Sequence, residues 1–338
     1  MTVVNRRLNP FLWSYELQGL VLRRRQDTAQ VVSFEILPNQ YWRQPRAGQY
    51  VEVSLPGQAG SRAYSVSAVT PHTFWITVKK QPGGFLSPQL HDQVQPGTRL
   101  QLQGPFGAFV YRGQPKILVI FAGTGLTPCY ALINELLALP AEQRPELQVY
   151  GQFSRPEDTL FAADLARWQA QSHPRFQCEV AYSQVPDAGT QPPQSAAQWL
   201  DRFADLSAYH VYLCGPEGFK QAYLDALQQR QFPLSQLHVE HFQTQAASAP
   251  QWETGRDLPE VIFREHQTRI QMQPEDQHKT LLELGLSRGL NLEKGCRKGY
   301  CGSCKLVLHQ GEVQGQTHGQ AVYVCQAYAR SSRVVLGH

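Results

Sequence analysis

No stretch of the 338 residues holds the roughly 18 to 20 uninterrupted apolar residues that a membrane-spanning helix needs. No membrane span is expected. An apolar segment of signal-peptide length is also missing near the start, where Val3-Val4 runs straight into Asn5-Arg6-Arg7 and Phe11-Leu12-Trp13 is too short. A cytoplasmic location follows as the expectation. The chain lacks a strong excess of one charge: 31 Lys plus Arg face 27 Asp plus Glu, and the surplus forms no basic stripe, which argues against nucleic-acid binding. The one dense run, Arg23-Arg24-Arg25, reads as the solvated end of a strand. Internal repeats are absent. Cysteine is sparse, with seven in all, an odd number, and four of them fall in the last 43 residues. A disulfide framework in a chain this long would not need that distribution, so metal ligation is the first possibility to test.

What is present suffices for ordinary cores. Hydrophobic residues make up 42% of the chain, too many for a disordered polymer. At roughly 100 to 200 residues per domain, the length calls for two or three domains. From Glu16 to about Arg112, short alternating runs such as Val31 to Ile36, Tyr50 to Leu55 and Phe74 to Val78 are separated by turns such as Pro45 to Gly48 and Pro96-Gly97. An antiparallel β-barrel over 1–112 fits that pattern. Ile117-Leu118-Val119-Ile120-Phe121 is different, a continuous apolar run of the kind that becomes a buried parallel strand. Helices over 130–139, 160–169 and 198–203 alternate after it with strands over 147–150, 176–182 and 209–213, the signature of a doubly wound α/β domain over 113–243. Residues 244–256 have linker composition, and a third domain is expected over 257–338, opening with strands at 259–264 and 268–273 and a helix at 280–287.

Cys296, Cys301 and Cys304 are spaced Cys-x4-Cys-x2-Cys, and Cys325 follows 21 positions later. This is the plant-type spacing for a 2Fe-2S cluster. Gly299 and Gly302 in the loop suit it, because four thiolates can converge only if the backbone wraps closely and turns its N–H groups toward sulfur. The alternatives are a structural zinc site, which usually pairs two Cys-x2-Cys-like units, and unligated thiols. Cys129 and Cys178 read as small buried hydrophobes.

Four further segments carry the chemistry of phosphates and rings. Gly123-Thr124-Gly125-Leu126-Thr127-Pro128 follows a strand and leads into a helix, whose free N–H groups and positive dipole end favour a pyrophosphate. Cys214-Gly215-Pro216 makes a second strand-to-helix turn, and both belong to the sheet edge where ligands bind. In the barrel, Arg62-Ala63-Tyr64-Ser65 sets a phosphate-neutralising Arg beside a Tyr able to cover a ring. Gly83-Gly84 with Ser87 as helix cap forms another anion nest. Taken singly, each of these segments is also an ordinary turn or strand.

Together and in this order they resemble the ferredoxin-NAD(P)H reductase superfamily, specifically flavin reductases with a C-terminal plant-type ferredoxin domain. The resemblance covers nearly the whole chain. It implies an antiparallel flavin barrel, an α/β nucleotide domain and an α+β β-grasp ferredoxin domain. Arg62 would then meet the flavin phosphate, Tyr64 would pack on the flavin, Ser65 would hydrogen-bond near its N5, and Gly83, Gly84 and Ser87 would hold phosphate. Gly104-Pro105-Phe106-Gly107 is similar to the segment that ends the flavin domain in FAD-using members, which makes FAD the expected flavin and FMN the alternative. Gly123, Thr124, Gly125, Thr127 and Pro128 would bind the nicotinamide-nucleotide pyrophosphate. Gly215 and Pro216 would sit by the nicotinamide, Phe242 near the flavin face, and Ser65 and Cys214 beside the reacting atoms. Cys296, Cys301, Cys304 and Cys325 would hold the cluster.

Two departures from the pattern stand out. The span from Cys304 to Cys325 is shorter than in most plant-type ferredoxin domains, and Gln184 stands where NADPH-specific members usually place an Arg for the 2′-phosphate. NADH is therefore the expected donor and NADPH the alternative, with Arg155 available to a 2′-phosphate. A Rieske pattern is absent, so the resemblance implies a separate acceptor, a terminal oxygenase or another one-electron protein. Lys294, Arg297, Lys298 and Lys305 surround the cluster loop and suggest an acceptor with an acidic docking face; alternatively they only offset the anionic cluster.

Overall fold

The computed structural model describes residues 17–58, 61–171, 175–184, 193–242, 250, 252, 258–293, 299 and 303–337. Its first sheet is a closed barrel of β1 (Gln18–Thr28), β2 (Val31–Pro38), β3 (Tyr50–Ser54), β4 (Arg62–Val69), β5 (Phe74–Lys79) and β6 (Arg99–Phe106), in the order β1-β2-β5-β4-β3-β6. All the recorded strand pairs are antiparallel. Strand alternation fills it: Val32, Phe34 and Ile36 of β2 join Phe74, Ile76 and Val78 of β5 in one apolar core, while Ser33, Glu35 and Thr77 fall between them on the other face. Short helix α1 (Ser87–Gln93) follows the Gly83-Gly84 turn. The arginine triplet lies within the eleven-residue β1 and not at its end. Arg23 pairs with Glu35, Arg25 with Asp27 at 2.8 Å, and both guanidinium groups lie over Trp75.

The second sheet is built on β7 (Lys116–Ala122), β8 (Glu146–Phe153), β9 (Phe176–Tyr182), β10 (His210–Cys214) and β11 (Leu237–Glu240), ordered β11-β10-β7-β8-β9. Strands β10, β7, β8 and β9 run parallel. Residues 117–121 are fully buried because a parallel strand is covered on both faces, which is why the run is continuous rather than alternating. Helices α2 (Leu126–Ala138), α3 (Ala162–Ala170), α4 (Ala196–Leu200) and α5 (Glu217–Gln229) connect the strands.

The third sheet comprises β12 (Glu260–Phe263), β13 (Thr268–Gln271), β14 (Lys305–Gln310), β15 (Val313–His318), β16 (Ala321–Ala329) and β17 (Arg333–Gly337), ordered β13-β12-β17-β14-β16-β15. Helix α6 (Leu281–Ser287) packs on β16 and begins in a capping box, Thr280 Oγ accepting from the Glu283 amide at 3.2 Å while Glu283 accepts from the Thr280 amide at 2.9 Å. A mixed sheet with one helix on its face is the β-grasp expected for the third domain. By contact density the chain forms two compact units. One runs to Lys220 and takes in Gln236–His238; the other combines Gln221–Ser235 with everything from Val239 on. Among the described residues no helix is long and apolar enough to cross a membrane.

Candidate functional site

In the barrel, two of the sequence motifs meet. Arg62, at the start of β4, places its guanidinium 5.3 Å from the centre of the Phe85 ring, just after the glycine pair. Gly83 has φ +69° and open space where a Cβ would stand, so the turn can receive a bulky group; Gly84 donates to the Gln81 carbonyl at 2.9 Å. Ser87 is not the helix cap expected from the sequence. Leu86 holds that position, and Ser87 Oγ accepts from the Gln81 amide at 3.0 Å, closing the turn on itself.

Tyr64 is partly buried, and burial raises its phenol well above the ordinary value against the opposing pull of Arg62. Ser65, 5% exposed, carries a hydroxyl with no hydrogen-bond partner in the protein. Buried hydroxyls are normally satisfied, so an orphan here fits a ligand that supplies the missing partner. Helix α2, which begins at the Gly123–Gly125 turn, packs directly on β4.

That turn and the second one also adjoin. β7 and β10 are neighbouring parallel strands with Phe121 opposite Cys214, so both strands end at the same edge. Gly125 lies so close to the Cys214 carbonyl that an added Cβ would stand 2.2 Å from its oxygen. Gly123 has φ +53°, and a methyl group added there would meet nothing within 4 Å, which leaves space over the start of α2. Thr127 Oγ ties back to the Thr124 carbonyl at 2.9 Å, and Pro128 sits in the first turn of α2. Gly215 is pressed between Phe219 and Ala122, and the Pro216 carbonyl accepts from the Lys220 amide at 3.0 Å. Cys214 is fully buried and Phe242 is 37% exposed. The two glycine turns and the orphan hydroxyl fit a dinucleotide and a flavin ring.

Arg155 and Gln184, weighed separately in the sequence, are partners. Arg155 Nε donates to Gln184 Oε1 at 3.2 Å, and its other end lies 3.8 Å from Glu157.

Cys304 and Cys325 are both buried, at 4% exposure, and neighbouring strands bring them together: Lys305 pairs with Tyr323, and the Val324 amide donates to the Cys304 carbonyl at 3.4 Å. Two buried thiols on adjacent strands suit soft-metal ligation. Cys296 and Cys301 lie outside the described residues, as do Lys294, Arg297 and Lys298. The short Cys304-to-Cys325 span is used up by β14, the β15 hairpin strand and the start of β16. Lys305 departs from the expected basic rim. It is partly buried, burial holds its ammonium below the ordinary range, and Nζ donates to the Leu234 carbonyl at 3.4 Å. Sequence reasoning missed one buried pair, His241 with Tyr323, which no local pattern signals because 82 positions separate them.

The fold and these sites define a flavin- and nicotinamide-binding oxidoreductase joined to an iron–sulfur domain. Comparison with known families agrees in order and extent: the oxidoreductase FAD-binding domain matches residues 28–111, the oxidoreductase NAD-binding domain 119–225, and the 2Fe-2S iron-sulfur cluster binding domain 263–330. The chain belongs to the ferredoxin-NAD(P)H reductase superfamily, among the members with a C-terminal ferredoxin domain. The glycine betaine monooxygenase reductase subunit of Chromohalobacter salexigens is 27% identical over 81% of this chain and 80% of its own length. An NADPH oxidoreductase of Mycobacterium tuberculosis is 29% identical over 97% of this chain and 86% of its own. In fold, phthalate dioxygenase reductase matches with a TM-score of 0.58 at 20% identity, covering 96% of this chain and 98% of that one. The full-length CYP116B46 of Tepidiphilus thermophilus matches at 0.68 and 19% identity over 94% of this chain, which spans only 41% of that longer protein.

Proposed function

We propose that this protein takes electrons from NADH through FAD to a 2Fe-2S cluster, and passes them singly to a separate acceptor protein, the terminal component of an oxygenase system. The observation that carries this reading is the coexistence in one chain of the paired glycine turns at the ends of β7 and β10, the orphan Ser65 hydroxyl, and the buried Cys304 and Cys325. When bound, FAD accepts a hydride and releases electrons one at a time, which adapts a two-electron donor to a one-electron centre. Relatives named as monooxygenase reductase subunits support the choice of acceptor.

The chain's residues position these groups. The Arg62 guanidinium and the Gly83-Gly84 turn neutralise and cradle the flavin phosphate, Tyr64 backs the ring, and the Ser65 hydroxyl donates toward N5. Gly123, Thr124, Gly125, Thr127 and Pro128 present the N-terminus of α2 to the donor's pyrophosphate, while Cys214, Gly215 and Pro216 line the nicotinamide and Phe242 the flavin face. Cys296, Cys301, Cys304 and Cys325 hold the cluster. The work divides along the chain into a flavin domain to 112, a nucleotide domain over 113–243, a linker over 244–256 and the ferredoxin domain over 257–338.

NADH is the preferred donor, because the Gln184 amide occupies Arg155 and Glu157 stands beside it, repelling a 2′-phosphate. The acceptor docks an acidic face on Lys294, Arg297 and Lys298; its reduction should slow as added salt shortens the Debye length from about 10 Å at 0.1 M. The test is Cys325→Ser. Reduction of a one-electron protein acceptor should be lost, while NADH-driven reduction of a two-electron dye persists. Loss of neither, or of both with flavin retained, would overturn the reading.

A further inference from the structure

His241 follows directly on β11, and Tyr323 lies in β16 two positions before Cys325. Their side chains meet in the interior: His241 Nε2 and the Tyr323 hydroxyl are 2.9 Å apart, and the rings pack edge to face with centroids 5.0 Å apart. The residues are 1% and 2% exposed. Two more approaches join the chain just before β11 to the third sheet. Lys305 Nζ reaches the Leu234 carbonyl, and a Cβ on Gly319 would stand 3.4 Å from Gln228 Oε1. Gln221–Ser235 and the chain from Val239 onward form one compact unit.

Apolar side chains would fill this space without demanding an orientation. A buried hydrogen bond between two rings is directional, so it favours one arrangement of the two side chains over its neighbours. The position matters because His241 precedes Phe242, which the proposed function sets at the flavin face, and Tyr323 sits beside the strand position that carries a cluster ligand. The covalent connection alone sets no distance between these points. A linker of 13 residues, 244–256, reaches roughly 43 Å when extended.

We propose that the His241–Tyr323 hydrogen bond is a clamp that fixes the segment Val239–Phe242 to the strand of Cys325, making both side chains positioning residues for electron entry at the cluster. This rests on the reading that electrons pass from flavin to cluster. The variants leave the residues of the two glycine turns, at the ends of β7 and β10, unchanged, so delivery of electrons to the flavin is expected to persist in them.

The test uses the full-length holoprotein and four variants: His241→Phe, Tyr323→Phe, the double variant and His241→Gln. Flavin and iron contents are measured first, then anaerobic stopped-flow mixing with NADH follows flavin and cluster absorbance separately. Flavin reduction should stay within about twofold of wild type, while cluster reduction slows about tenfold in each Phe variant and no further in the double variant. His241→Gln, whose amide can still bond the phenol, should recover part of the rate. Hydrogen–deuterium exchange over 239–242 and β16 should rise in the Phe variants and fall back in the Gln variant. Wild-type rates of cluster reduction in Tyr323→Phe, which removes a single oxygen and keeps the core filled, would overturn the proposal even if His241→Phe fails to fold. Failure of NADH to reduce the cluster in the wild-type protein would instead overturn the underlying electron route.

Discussion

Gly125 lies against the carbonyl of Cys214, with 2.2 Å between that oxygen and any Cβ placed on the glycine. The contact joins the two turns that end β7 and β10, so one methyl group must push them apart. Gly125→Ala should raise the KM for NADH at least about tenfold while flavin content remains that of the wild type, because the barrel turn is untouched. Steady-state kinetics and the flavin-to-protein ratio check this.

Ser65 makes an opposite prediction for stability and rate. Its hydroxyl is buried without a partner, and such a group costs about 1 to 3 kcal/mol. In the flavin-free protein, Ser65→Ala should therefore leave Tm unchanged or raise it. In the holoprotein, flavin reduction by NADH should slow about tenfold or more. A lowered apoprotein Tm with an unchanged rate would make the hydroxyl structural.

Arg155 is held by Gln184 at 3.2 Å and faces Glu157 at 3.8 Å. Gln184→Arg removes the amide acceptor and adds a second cation. The ratio of kcat/KM for NADPH over NADH should rise about tenfold, and the gain should shrink at high salt. An unchanged ratio would place the 2′-position elsewhere.

Asp276, fully buried before α6, accepts from Lys279 at 2.7 Å, Arg288 at 2.6 Å and the Gln273 amide at 3.0 Å. Burial alone would raise its carboxyl, but these three donors outweigh it and hold it below the ordinary range. A depressed carboxyl stabilises the fold above the unfolded value of about 3.9 and loses that contribution as pH falls through the folded value. Asp276→Asn should destabilise the third domain by about 2 to 3 kcal/mol. That is at or below the lower end for fully buried pairs, since both cations keep access to water. Denaturation at graded pH should show the gap constant from about pH 5 to 8 and closing below about pH 4.

Much of this architecture was legible in residue order. Continuous apolar β7 and alternating β2 differ because β7 packs apolar residues on both faces, whereas β2 turns Val32, Phe34 and Ile36 into the barrel core and buries Ser33 and Glu35 on its other face through hydrogen bonds to Thr77 and Thr73. Strand β9 falls over 176–182 as read, while α2 starts four residues before the helix read at 130, since Leu126 to Cys129 belong to the glycine turn's own helix. Motif spacing singled out Arg62, Gly125 and Cys304 as candidates, each defined by near neighbours in the chain. Contacts across long sequence separations were not legible. Lys305 looked like part of a basic rim until Leu234 claimed its ammonium, and the arginine triplet looked like a strand end until Glu35, Asp27 and Trp75 engaged it. His241 meets Tyr323 only because two distant strands converge.

The most direct test of the central claim is an anaerobic titration of purified, full-length protein with NADH, followed by visible absorbance and electron paramagnetic resonance, with metal content measured on the same sample. The account predicts two irons per chain, bleaching of the flavin, and a paramagnetic signal from a one-electron-reduced cluster that disappears in Cys304→Ser and Cys325→Ser. Protein that holds zinc instead of iron, or whose flavin bleaches while the cluster stays oxidised, would contradict it.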